Sequence, residues 1–334
     1  MTRPDCANCP WADPKTKTPR HSPVLGVFPS EPIGVVVGEG PGSDEVDKGT
    51  PVVGRTGTWL DERLQENELD RSKLVIINAQ ACQSVKELKS DDTMRAATKC
   101  CAPLFNSQFV AYKHLPILAM GKWGGAAANN GKPITVETGR GFIRGNLLVT
   151  WHPTYAAFYN PWKAGEFIND LQRFKRMLTG KLEGPPRIII KPTIEDINVL
   201  VRTPFAKKFG IACDIETRAH HGRPAYEGKD PYRAALRTIA IGIPDLGIAY
   251  WWGSNTVVQR AIIRILEDPT ILKIFHNGWM FDQPVLTRYG IKVRNAKDTR
   301  DGRRAVSATS RLSLRHLTSI YSDFPPWKEL EDDK

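Results

Sequence analysis

The stretch from Gly38 to Gly57, GEGPGSDEVDKGTPVVGRTG, constrains this chain more than any other. It follows an apolar run, Ile33 to Val37, that reads as a buried strand. A Gly/Pro turn then sets an acidic side chain, Glu39, at the strand's carboxyl end. Open α/β sheets bind their ligands at that end. A second glycine-rich turn, Gly54 to Gly57, is expected to open a helical pattern at Trp59 and Leu60. Turns this rich in glycine let a backbone approach a ligand closely.

Cysteine spacing narrows the reading. Cys6 and Cys9 form a C-x-x-C, Cys82 follows a second apolar strand (Leu74 to Ile77), and Cys100 and Cys101 come later. Six cysteines in 334 residues, most of them early and grouped, suit a metal site in a reducing, cytoplasmic compartment rather than a disulfide framework. Four thiolates accommodate zinc or an iron–sulfur cluster. The N-terminus has no apolar core of a signal peptide, and no run of about 18 apolar residues suggests a membrane span. A net charge of +11 points to a polyanionic partner.

Residues 1 to 30 are rich in proline and are expected to be loops. Strands are expected at 33–37, 74–78, 115–119 and 146–150, and helices at 57–68, 91–111, 121–129 and 163–180. This alternation predicts a mostly parallel sheet in a domain over 1–180. Gly184-Pro185-Pro186 marks a boundary, with a linker over 181–186 and a second domain over 187–334. There, Thr193 to Asp196 fits a capping box, and strands are expected at 187–190, 209–217, 239–243, 247–251 and 271–275. Helices are expected near 256–267 and 281–289.

Asp214 and Glu216 alternate on a strand, so both point to one face. Paired carboxylates suit a hard divalent ion such as Mg2+ or Mn2+. The segment Phe275 to Asp282 supplies another carboxylate at a helix start. Asp298 is read as a further site acid or as a purely structural one, and Cys213 as a core residue.

The motif GE-x-PG at 38–42, Asn78-Ala-Gln-Ala-Cys82 and Trp151-His152-Pro153-Thr154 together resemble the family 4 uracil-DNA glycosylases, which carry an iron–sulfur cluster. The resemblance covers roughly residues 1 to 178. It implies an α/β/α sandwich that hydrolyses the N-glycosidic bond of uracil in DNA. It also implies a [4Fe–4S] cluster on Cys6, Cys9, Cys82 and Cys101, the last chosen over Cys100 because Cys101-Ala-Pro better matches the family's Cys-x-Pro. In this match His152 stabilises the departing base, Asn78 reads it and Glu39 serves the water or the sugar cation. Gly38, Gly40, Pro41, Gly42 and Gly54 cradle phosphate or base, with Thr154 beside them and Tyr155 as a wedge. Val52 stands where the family has an aromatic residue on which the base stacks.

Asp214 with Glu216, and Asn277 with Asp282, resemble the first two motifs of DnaQ-like 3′–5′ exonucleases. The run from Asp298 through Leu312–Tyr321 and Pro325–Lys328 resembles the exonuclease region of phage family A DNA polymerases. An RNase H-like domain binding Mg2+ through Asp214, Glu216 and Asp282 is implied, incomplete before its third motif at Lys334. Its expected setting is a polymerase, as a domain or a separate subunit, in the host cytoplasm if phage-encoded. The alternative is a non-catalytic module that binds DNA or senses uracil for such a polymerase, and Val52 favours it.

Overall fold

In the computed structural model the described residues are 5–184, 186–306 and 312–323. They form two compact units, one of Met1–Glu183 with Arg315–Lys334, the other of Gly184–Leu314. Both are α/β, and each is built around one sheet.

The first unit's sheet holds β1 (Gly34–Gly38), β2 (Leu74–Asn78), β3 (Ile117–Met120), β4 (Ile143–Arg144) and β5 (Leu147–Thr150), in the order β2-β1-β3-β5-β4. All pairings are parallel except that of β4 with β5. The inner strands are apolar throughout because both faces are covered. Val36, Ile76, Leu118 and Leu148 point one way, toward Leu60 and Leu64 of α2 (Gly54–Glu66) and Phe167, Leu171 and Phe174 further along the chain. Val35, Val37, Ile77 and Val149 point the other way, toward Phe105 and Phe109. The short helix α1 (Ser43–Lys48) precedes α2, and α3 (Asp91–Phe109), α4 (Gly121–Ala128), α5 (Val136–Gly139) and α6 (Ala164–Leu178) complete the two outer layers.

One local expectation changes. The glycines at 54–57 are the first turn of α2, not a separate turn before it. Gly57 lies there because a Cβ would stand 2.4 Å from the Val52 carbonyl oxygen. Strands and helices elsewhere fall within a few residues of the positions expected, with β4, α1 and α5 as short additions. Residues 5–30 contain one 3-10 turn, Cys6–Asn8, and a single bridge from Val27 to Ile76.

The second unit's sheet is β6 (Arg187–Ile189), β7 (Ile211–Arg218), β8 (Ala235–Ile243), β9 (Leu246–Trp251), β10 (Lys273–Phe275) and β11 (Ala296–Asp298), ordered β11-β10-β7-β8-β9-β6. β7, β8 and β9 form an antiparallel meander, and β10 and β11 extend it in parallel from β7. The helices are α7 (Ile194–Arg202), α8 (Pro204–Phe209), α9 (Thr256–Glu267), α10 (Asp282–Arg288) and α11 (Thr299–Val306). The Thr193 capping box that starts α7 forms as read. Ile211, Cys213 and Ile215 of β7 pack inward against α9 and α10, as their alternation demands.

The last described helix, α12 (Leu314–Tyr321), lies in the first unit from Arg315 onward. Its Ser319 carbonyl accepts from Arg173 Nη1 at 2.8 Å and its hydroxyl from Arg140 Nη1 at 3.2 Å. Asp323 beyond it pairs with Arg173 at 3.0 Å and Arg176 at 2.6 Å. Pro325 to Lys328 and the charged tail lie outside the described residues.

Candidate functional site

The carboxyl ends of β1, β2, β3 and β5 open into one pocket of about 530 Å³. Glu39, Gly40, Pro41, Gly42, Val52, Asn78, His152, Thr154 and Tyr155 line it, so sequence-distant motifs meet there. Gly38 and Gly54 stand behind that lining. A Cβ on Gly38 would stand 2.2 Å from Asn78 Oδ1, and one on Gly54 would meet Asp44 at 2.0 Å.

His152 lies two residues past the end of β5. Its Nδ1 accepts the Thr154 N–H at 3.3 Å, so the neutral ring carries its proton on Nε2. The ring is half-buried in the pocket wall. Burial holds its pKa below 6.5, with Lys89 adding to that and Glu39 and Glu45 opposing it. Trp151 and Thr150, just before it, are clamped by α6: Trp151 Nε1 donates to Glu166 at 2.8 Å and Thr150 Oγ1 to Asp170 at 2.7 Å.

Glu39 faces His152 but is also a helix anchor. Its Oε1 accepts the Trp123 N–H at 3.1 Å in the first turn of α4. That contact requires Gly121, since a Cβ there would stand 2.4 Å from Oε1. Among the described residues no hydrogen bond is made to Glu39 Oε2.

Sequence reasoning missed Glu45. Its Oε1 accepts from Val52 N at 2.6 Å and from Asn78 Nδ2 at 3.2 Å, and its Oε2 from Gly42 N at 2.7 Å. One carboxylate thus fixes the loop, the wall and the amide of the pocket. Val52 has φ +54, a left-handed conformation that is an outlier for a β-branched residue. Arg71 holds its carbonyl at 2.8 Å and is braced by Asp61 at 2.6 Å. Gln80, two residues after Asn78 and therefore on its side of the extended chain, also lines the pocket, as do Lys86 and Lys89. Alternation beyond Asn78 was the available signal for Gln80, and none marked the lysines.

Cys6, Cys9, Cys82, Cys100 and Cys101 line a second, small hollow with Trp11, Pro19 and Pro23. Burial first, then the neighbouring thiols, raises Cys82 to about 12. Burial likewise raises Cys100 and Cys101 to about 11, Cys101 against a backbone hydrogen bond from Ala81. Soft donors converging from three chain segments suit a shared cationic group. Among the described residues, no three His, Cys, Asp or Glu side chains already stand as a closed metal nest, at this hollow or in the second unit.

In the second unit Asp214 and Glu216 face outward from β7. Asp282, at the start of α10, is buried and accepts the Ile215 N–H at 3.1 Å. Burial, then Asp214, pushes its pKa up to about 7, and burial, then Glu216, raises that of Asp214. Asp214 thus stands between the other two, raised by Glu216 and itself raising Asp282. Asp298 instead holds the N–H groups of Asn277 at 3.0 Å and Gly278 at 2.7 Å, which makes it a loop brace. Asn277, with φ +65, accepts from Arg300 Nη1. Cys213 is a buried core thiol, raised by burial.

Residues 25–172 match the family model of the uracil DNA glycosylase superfamily, and residues 243–331 that of a 3′–5′ exonuclease. The chain is similar to a type-4 uracil-DNA glycosylase of Thermotoga maritima, 30% identical over 126 residues, which cover 36% of this chain and 64% of that protein. It is also similar to a type-4 enzyme of Pyrobaculum aerophilum, 29% identical over 173 residues, 47% of this chain and 86% of that one. Among solved structures it is similar to Brucella melitensis NrnC, with 21% identity, 42% of this chain and 63% of that chain covered, and a TM-score of 0.31. The chain thus spans less than two thirds of the Thermotoga and Brucella proteins. Residues 25–172 are thus similar to the uracil DNA glycosylase superfamily, with type-4 enzymes among the relatives, and residues 243–331 to a 3′–5′ exonuclease.

Proposed function

We propose that the first unit hydrolyses the N-glycosidic bond of uracil in DNA. The observation that carries this reading is the convergence of Glu39, Asn78 and His152 on one pocket, with His152 neutral and its proton on Nε2. Excision needs the base out of the stack and within such a pocket. Cleavage leaves negative charge on the base, and a preorganised donor stabilises it. His152 Nε2–H is that donor. The Asn78 amide, held by Glu45, donates to uracil O4 and accepts from N3–H, a pattern cytosine does not offer. Glu39 Oε2 receives a proton from the attacking water or faces the sugar cation. The loop at Gly40–Gly42 turns backbone toward the ligand, and Tyr155 fills the gap the base leaves.

Cys6, Cys9, Cys82 and one of Cys100 and Cys101 would hold the [4Fe–4S] cluster. Bound there, it would tie the N-terminal loop to β2 and α3 and take no part in hydrolysis. In the second unit Asp214, Glu216 and Asp282 would hold Mg2+ or Mn2+ for 3′–5′ exonuclease action, with Asn277 contacting the strand. An exonuclease domain beside a base-excision domain suits a DNA polymerase assembly inside the cell. A second reading is a uracil-sensing or DNA-gripping module without excision. Val52 favours it, because an aliphatic wall cannot stack on a base, and such stacking is worth roughly 1–3 kcal/mol.

A 5′-labelled oligonucleotide with one central uracil, incubated with the protein in EDTA and then treated with alkali, tests the proposal. Cleavage at the uracil supports excision. An uncut strand, with protein that retains the cluster's brown absorbance, supports the sensing module instead.

A further inference from the structure

Beside the pocket, the loop after His152 is folded in a way that base reading does not require. A π-type turn, Tyr155–Tyr159, runs into a 3-10 turn, Pro161–Lys163, and then into α6. Its inner side is fixed. Ala156 is fully buried, Tyr155 packs on Trp151 at 5.2 Å between ring centres, and Phe158 lies under the Arg55 guanidinium at 3.9 Å. Asn160 N donates to the Tyr155 carbonyl at 2.8 Å, and Lys163 N to that of Asn160 at 2.9 Å.

The outer side holds two large rings without partners. Tyr159 is 78% exposed and Trp162 86%. Neither makes a ring contact, cation–π contact or side-chain hydrogen bond among the described residues. Large aromatic surfaces left open on a braced loop mark a docking surface. The chemistry of the occupant follows from the surroundings. The segment Tyr155–Lys163 contains no acidic residue. Tyr159 lines the pocket together with Lys86 and Lys89, neither of which is in an ion pair among the described residues. An exposed ring sharing its pocket with two lysines outside ion pairs, with a second exposed ring three residues on, fits a strand whose bases stack and whose phosphates are neutralised. Bases within a duplex already have both faces covered, so such rings select unpaired DNA.

We propose that Tyr159 and Trp162 form a stacking platform for single-stranded DNA, with Lys86 and Lys89 as its phosphate rim. The platform rests on the reading of the pocket as a base-excision site and assigns it an unpaired strand as substrate. Its test uses a short oligo-dT, which contains no uracil, so failure of excision and failure of the platform are read separately. Binding is followed by fluorescence anisotropy of labelled oligo-dT and of its duplex with oligo-dA. The wild type should bind the single strand more tightly than the duplex. Tyr159→Ala and Trp162→Ala should each weaken single-strand binding roughly tenfold while changing duplex binding little. Trp162→Phe should retain most of the affinity, and Lys86→Ala should lower the salt dependence where Trp162→Ala does not. Unchanged thermal melting serves as the folding control, since both rings are exposed. Wild-type single-strand affinity in both alanine variants overturns the proposal, and so does an equal loss on both DNA forms. The first result would leave the rings to a protein partner, and the second would make them a contact shared by both DNA forms.

Discussion

The Glu45 carboxylate holds the backbone N–H of Val52 at 2.6 Å and so keeps a β-branched residue left-handed at φ +54. Such a conformation costs on the order of 1–3 kcal/mol. Arg71 holds the other side of the residue through its carbonyl. The wall of the pocket is therefore imposed by its neighbours, and the same carboxylate orients Asn78. Glu45→Ala should lower excision at least tenfold through release of both. Glu45→Gln should recover part of it, because one side-chain oxygen still accepts from Val52. Single-turnover excision by the two variants checks this.

Val52→Phe should raise excision by about one to two decades, from the roughly 1–3 kcal/mol that base–aromatic stacking supplies. A loss of activity in a variant that melts like the wild type would remove the missing ring as an explanation for slow turnover.

His152 is neutral in the fold because burial lowers its pKa. Protonation would also set a new N–H against the Thr154 N–H. The excision rate should therefore stay level through neutral pH and fall on the acid side, below the ordinary histidine value. Stability follows the same sign. A depressed histidine contributes stability that is full above its unfolded pKa and is lost as pH falls through the folded one. A pH–rate profile that breaks at or above the ordinary value would contradict this assignment.

Asp170 is fully buried between Arg140 and Arg173, and it also receives Thr150. Asp170→Ala removes one of the two carboxylate partners of each buried guanidinium, leaving Arg140 with Glu166 and Arg173 with Asp323, and should cost up to about 3–5 kcal/mol in urea unfolding. Asp323→Ala removes the partner of Arg173 from the far end of the segment that carries α12. It should destabilise the first unit, although residue 323 is 147 positions from its partner Arg176 in α6. Excision should fall with Asp170→Ala in protein that remains folded, because Thr150 lies two residues before His152.

Asp282 titrates near 7 in the fold, raised first by burial and then by Asp214. A raised carboxylate contributes stability that is full below its unfolded pKa and is lost as pH rises through the folded value. The metal-free second unit should therefore weaken between about pH 4 and pH 7. Added Mg2+ should restore melting temperature most strongly above pH 7, where the carboxylate is ionised. Asp282→Asn should remove most of the Mg2+ effect and shrink the pH dependence to the part that Asp214 contributes.

Much of this arrangement is legible from local pattern. The apolar runs at β1, β2, β3 and β5 are continuous because both faces of that sheet are covered. The turn residues Glu39, Asn78 and His152 at their ends are therefore placed together by topology alone. Asp214 and Glu216 share a face by the period of a strand. The remainder depends on distant partners that no local pattern encodes. Glu45 reads as an ordinary first-turn acid until Val52 and Asn78 are seen on it. Asp298 reads equally as a site acid or a structural one, and only the backbone N–H groups on its oxygens favour the structural role. The segment from Arg315 reads on from the second unit, but two buried arginines of the first unit hold it.

The most direct test of the account is to identify the base released from uracil-containing DNA under single-turnover conditions in EDTA. Wild type should be compared with His152→Ala and Asn78→Asp. The account predicts free uracil from the wild type and a fall of roughly 10²–10³-fold in His152→Ala. It also predicts poorer discrimination of uracil from cytosine in Asn78→Asp. No free uracil from folded, cluster-bearing protein, or undiminished release by His152→Ala, would contradict it.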